Sequence, residues 1–271
     1  MSTWKVALPM YGITAELREA NAAFLRLFIE ALEGLGWREP VRIVEVDFAH
    51  IDAHWLDPHL LLSQTCGYPL MTRLNRQVRL LAVPSYRAEG FSRSQYSSRL
   101  IVRASSGFAA LAELRAAVAV INNEDSHSGM NALRHSVAPL AKGGVFFSDV
   151  LVSGGHAASI DAVREGKADV AAIDPVTWAH VLDARPELQS QLRTVGWSAP
   201  APGLPLIGSR TLSTEQVSVI RTALSKALRR DPALANQLRL YGFYNASWSS
   251  YQRIVEMQEQ AGNVRLARAA A

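Results

Sequence analysis

The feature that most constrains this chain is alternation. Apolar runs of strand length, such as WKVAL, VRIVEV, VRLLAVPSY, AVAVIN and ADVAAI, alternate with amphipathic stretches such as AELREANAAFLRLFIEALEGLG and SGMNALRHSVAPLA. Short, nearly continuous apolar runs suit strands covered on both faces, whereas stripes at i, i+3 and i+4 suit helices lying on a sheet. The order predicts an α/β fold with mostly parallel sheets flanked by helices. Gly34 and Gly36 are expected to close the first long helix. Near the other end, STEQVSVIRTALSKALRR, PALANQLRLYGF and SWSSYQRIVEMQEQ read as three successive helices.

With 271 residues, the chain is long enough for two domains. YRAEGFSRSQYSS at 86–98 is rich in Ser and Arg, and SAPAPGLP at 198–205 is rich in Pro and Gly; both read as boundaries. The expected organisation is a discontinuous first lobe, residues 1–95 with 191–271, and an inserted second lobe, residues 96–190. Ligands of such proteins commonly sit where domains meet. The Ala-rich tail after Gly262 is expected to fray.

Composition removes several function classes. Apolar residues make up 49% and charged residues 19%, as in a globular protein. The net charge of +4 comes from 28 cations against 24 anions with no long basic block, and no nucleic-acid motif is present; no nucleic-acid partner is expected. A single cysteine, Cys66, allows no internal disulfide. No apolar run approaches the roughly 20 residues that span a bilayer. The opening MSTWKVALPMYG lacks a signal-peptide pattern, so the expected compartment is cytoplasmic as the sequence stands and periplasmic if export is provided otherwise. DFAHIDAHWLDPH interleaves His50, His54 and His59 with Asp47, Asp52 and Asp57, but it has no HExxH and its spacing imposes no converging geometry. It is expected to be a solvated connection, and neither a metal nor a cofactor is expected. A nucleophile elbow and a Walker loop are also missing.

Polar clusters recur where strands are expected to end, the edge on which open α/β sheets bind ligands. Gln64 and Thr65 follow LLLS; Ser153, Gly154, Gly155 and His156 lie between a strand and a helix; Asp174 ends another strand. In INNEDSHSGMNALR, Ser126 is either a plain helix cap or one part of an anion site, because a helix N-terminus turns free N–H groups and a positive dipole end outward. Asp174 before Pro175 is equally a good cap.

From Tyr96 to Asp174 the words YSSRLIVR, AVAVIN, DSHSGMNALR and SGGHAASIDAVREGKADVAAID resemble, in order and spacing, the phosphate/phosphonate substrate-binding proteins of ABC transporters. WKVALPMYGITAELREANAAF and SQTCGYP match more loosely. The resemblance implies a two-lobed type 2 periplasmic-binding-protein fold with a ligand cleft between lobes. It also implies a small anionic ligand, a permease partner and a monomer. A Ser-Thr-Ser-Gly segment in that family holds the phosphonate oxygens; Ser126, His127, Ser128 and Gly129 stand there in this chain, with His127 in place of the threonine. The resemblance further implies roles at the ligand for Tyr11, Gln64, Thr65, Tyr96, Ser97, His156 and Asp174. His156 facing an anion is expected to be favoured in its protonated form, so that affinity falls as pH rises above about 6.5. The rival readings on this fold are a lyase with His156 as general base and a ligand sensor without a transport role.

Overall fold

The computed structural model describes residues 3–267, which divide into two compact units. The first comprises the chain up to Arg87, Ser92–Gln95 and Pro202–Tyr251; the second comprises Ala88–Phe91, Tyr96–Ala201 and the chain from Gln252 onward.

The first unit is built on a six-stranded sheet in the order Leu240–Tyr244, Val78–Tyr86, Leu206–Ser209, Leu60–Gln64, Trp4–Val6, Val41–Ile43. Helix Ala15–Glu33 begins at Thr14, whose hydroxyl accepts from Leu17 N at 3.2 Å. It buries Leu17, Ala20, Phe24, Phe28, Ala31 and Leu32, the stripe its periodicity foretold. The chain leaves the helix through Gly34 and then Gly36, whose φ of +93° is the left-handed conformation glycine adopts without cost. Helix Thr214–Arg230 starts in a reciprocal capping box between Ser213 and Gln216 and packs Val217, Ile220 and Leu224 into the same core.

The second unit holds a five-stranded sheet ordered Leu192–Trp197, Arg99–Arg103, Val170–Ile173, Val118–Ile121, Asp149–Val152. Its core includes Leu100, Val102, Ala119, Leu133, Val137, Phe147 and Val170.

Four details depart from the sequence expectation. Both sheets are mixed: Trp4–Val6 runs parallel to both its neighbours, whereas Leu206–Ser209 is antiparallel to both of its own. A helical crossover is required only between parallel neighbours, and Leu206–Ser209 enters its sheet from the other unit without one. LYGFY is a strand, Leu240–Tyr244, and not the end of a helix. Arg239 at φ +54° breaks the preceding helix Pro232–Gln237, and the aromatic residues then pair with Val78–Tyr86. The return to the first unit lies at Ala201–Pro202, later than 191, because Leu192–Trp197 pairs with Arg99–Arg103 of the second.

The tail after Gly262 is also held within the second unit. Arg134 donates to Val264 O at 2.8 Å, Phe147 N donates to Leu266 O at 2.8 Å, and Leu266 enters the core. The rest of the tail expected to fray, residues 268–271, lies outside the described residues.

Candidate functional site

In the second unit, strand Val118–Ile121 runs into Asn122 and a short loop, and Ser126 then caps a helical segment. Its hydroxyl accepts from Gly129 N at 3.1 Å, while its carbonyl accepts from Asn131 N at 3.0 Å. The second bond skips five residues, so the first turn, His127–Asn131, is wider than an α-helical turn before the α-helix Ala132–Val137 takes over. Such widened turns are found often at functional positions. Glycine is required at 129: a Cβ there would lie 1.8 Å from Asn122 Oδ1. Ser126, His127, Ser128 and Gly129 are all buried, and Glu124 is exposed.

His156 is the first residue of helix His156–Arg164. Ser153 supports the turn before it, donating to Gly155 O at 3.0 Å and meeting the Ser159 hydroxyl at 2.7 Å. The His156 Nε2 lies 2.7 Å from Ser128 Oγ, which is 3.4 Å from Ser126 Oγ. Two helix N-termini, far apart in sequence, therefore meet through a serine and a histidine. The His156 Nδ1 is enclosed without a hydrogen-bond partner. An enclosed, unpaired N–H is the rarer and costlier state, which favours the proton on Nε2, donated to Ser128 Oγ. The Ser128 hydroxyl then keeps its own proton to donate elsewhere.

Burial sets the charge of both histidines. Desolvation pushes His156 down to about 4. His127 is pushed down to about 3, first by burial and then by the charges of His135 and Arg253. Both are neutral near pH 7, because burial disfavours the charged imidazole; the protonated His156 expected from sequence is one that faces an anion, and burial lowers the value from which an anion would have to raise it.

Tyr96 is buried with its ring edge-on to His127 at 6.1 Å and stacked on Phe91 at 6.1 Å. Ser97 next to it is half-buried and donates its N–H to Gly90 O at 2.8 Å. Asp174, 2% exposed, accepts at Oδ1 from Val176 N at 2.8 Å and Thr177 N at 2.9 Å. The capping alternative therefore holds for that oxygen.

The remaining expected residues lie in the first unit. Tyr11 packs edge-on against Tyr86 at 5.1 Å, and Gln64 donates from Nε2 to Tyr86 Oη at 3.2 Å. Thr65 is buried just past strand Leu60–Gln64, its N–H given to Pro205 O at 3.1 Å. Tyr86, on which Tyr11 and Gln64 converge, is not among the residues picked out from sequence. Its position as the last residue of the strand VRLLAVPSY was the available signal, since the other candidates were also found at strand ends.

The His50–His59 segment is more folded than a solvated connection. His50 pairs with Asp47 at 2.8 Å, but His54 meets the buried Ser63 hydroxyl at 3.0 Å, and Trp55 beside it is buried in helix Ile51–Trp55. Among the described residues no group of three or more His, Cys, Asp or Glu gathers to hold a metal. Nor is any helix there long and apolar enough to cross a membrane.

Solved structures share this architecture. The PhnD1 protein of Prochlorococcus marinus, in complex with methylphosphonate, matches with a TM-score of 0.75 at 15% identity over 97% of this chain and 99% of its own. A binding-protein component of a phosphonate ABC transporter from Pseudomonas aeruginosa matches with a TM-score of 0.74 at 18% identity, over 96% of this chain and 86% of its own. A Xanthomonas citri protein bound to ATP matches with a TM-score of 0.71 at 17% identity, over 97% and 98%. At these identities the likeness is one of fold. No curated protein matches the sequence. The family described as ABC transporter, phosphonate, periplasmic substrate-binding protein matches residues 57–251, well over half of the chain. That stretch carries the Ser126–Gly129 turn and His156, and with it this chain belongs to the phosphonate substrate-binding proteins of ABC transporters.

Proposed function

We propose that the chain takes a small oxyanion, a phosphonate, phosphate or phosphate ester, on the buried turn of its second unit. Family membership already makes it a solute-binding protein and not an enzyme, with a small ligand and a transporter permease as partners; the lyase alternative falls on that ground. The observation that carries the anion reading is the contact between Ser128 and His156, which joins two helix N-termini at one point. Hydroxyl and N–H donors there, backed by both helix dipoles, suit an oxyanion that neutral groups bind without a counter-cation. Tyr11, Gln64 and Tyr86 form a second recognition element. The protein acts as a monomer in the periplasm.

Isothermal titration with methylphosphonate, inorganic phosphate and ATP separates the ligand classes. Charge-assisted hydrogen bonds are worth about 1.5–3 kcal/mol each, so replacing both Ser126 and Ser128 by alanine is expected to weaken the tightest of the three at least about tenfold, with the fold kept and the melting temperature lowered by the loss of the Ser126 cap and of the Ser128–His156 contact. Unchanged affinity in the folded double variant would reduce the turn to a plain cap.

A further inference from the structure

Asn131 is fully buried one turn beyond His127. Its Nδ2 lies 3.1 Å from His127 Nδ1 and 3.1 Å from the carbonyl oxygen of Ile254 on helix Trp248–Gln260. A carbonyl oxygen only accepts, so Ile254 requires the amide nitrogen on its side and fixes which way the Asn131 side chain faces. The same NH₂ group then offers its second proton to His127 Nδ1, which must accept it. A neutral imidazole that accepts at Nδ1 carries its proton at Nε2. The other amide atom, Asn131 Oδ1, is buried without a hydrogen-bond partner. An enclosed acceptor left unpaired costs stability, and this orientation persists because the reversed one would set oxygen against oxygen at Ile254.

We infer that Asn131 is a positioning residue that locks His127 as a single N–H donor, at Nε2, within the anion-binding turn. The inference rests on the oxyanion reading of that turn. It gives His127, which stands between Ser126 and Ser128 in the chain, the hydrogen-bonding character of an N–H donor at Nε2, with no accepting lone pair on that nitrogen. The anchor, Ile254, lies beyond the residues 57–251 that the family match covers, so the C-terminal helix helps set the chemistry of the turn.

The first test needs neither ligand nor variant. Long-range ¹H–¹⁵N correlation on ligand-free protein with labelled histidine is expected to show His127 with a bare Nδ1 and a protonated Nε2 at pH 7. A protonated Nδ1 overturns the assignment. The second test is binding of methylphosphonate. Asn131→Asp puts an acceptor opposite Nδ1 and is expected to move the proton there, weakening binding by about tenfold, the effect of one lost hydrogen bond. In a His127→Thr background the same change is expected to cost less than about twofold, because the threonine hydroxyl does not depend on Asn131. An equal loss in both backgrounds makes Asn131 a merely structural residue and overturns the proposal. If the wild type binds none of methylphosphonate, phosphate and ATP, the oxyanion reading fails, while the tautomer of His127 still decides the assignment of Asn131.

Discussion

The polar clusters of the two units are made from similar strand ends but satisfied differently. In the first, Gln64 divides its amide protons between Tyr86 Oη and Leu204 O, at 3.2 and 3.4 Å, and Tyr11 leans its ring on Tyr86. In the second, Asn122 Oδ1, Asn131 Oδ1 and His156 Nδ1 are enclosed without partners, and two imidazoles are held neutral by burial. A polar group buried unpaired costs stability, whereas a paired one is nearly neutral or favourable. The first cluster is therefore at rest as it stands. The second carries a cost, as expected where stability gives way to recognition.

Acid provides the largest expected break in that comparison. Both buried histidines have folded-state values below the unfolded value near 6.5, so the unfolded chain binds their protons first. Their contribution is intact above pH 6.5 and is lost as pH falls, down to about 4 for His156 and about 3 for His127. Each costs about 1.4 kcal/mol per pH unit within its window. His54 in the first unit is also lowered, by burial partly offset by Asp57. Urea melts between pH 7 and 4.5 are expected to show the steeper loss relieved in His127→Gln/His156→Gln and only slightly in His54→Gln. A double variant with an unchanged slope would remove burial as the cause.

A pair of glycines in the second unit sharpens the contrast between a crowded turn and an open one. Gly129→Ala drives a methyl into Asn122, an overpacking that costs about 1–3 kcal/mol and distorts the turn, so methylphosphonate binding is expected to fall with the melting temperature. Gly155 has φ −172°, and a methyl group added there would meet nothing within 4 Å; Gly155→Ala is expected to keep both. Equal losses in the two variants would show that the open turn is as constrained as the crowded one.

The smallest expected effect separates the two roles of Asp174. If capping is its only role, Asp174→Asn keeps most of the cap and Asp174→Ala loses about 1 kcal/mol, with binding unchanged in both. A fall in methylphosphonate affinity for Asp174→Asn at unchanged stability would restore it to the ligand, as the family resemblance implied.

The sequence by itself determined what is local. Apolar periodicity set the alternation of strands and helices; Thr14, Ser126, Asp174 and Ser213 each cap a helix, because a cap satisfies N–H groups only two or three residues away. The words around Ser126–Gly129 and His156 were specific enough to reveal the family before any fold was seen. Tertiary structure decided the rest. Strand direction in the mixed sheets, the conversion of LYGFY from helix to strand and the seating of the chain after Gly262 depend on partners dozens of residues away. So does the place of Tyr86 beside Tyr11 and Gln64. The charge of His156 needed the fold most of all: a motif says which residue stands at a helix N-terminus, but only the packing around it removes the water that would let it take up a proton near its ordinary value of 6.5, pushing that value down to about 4.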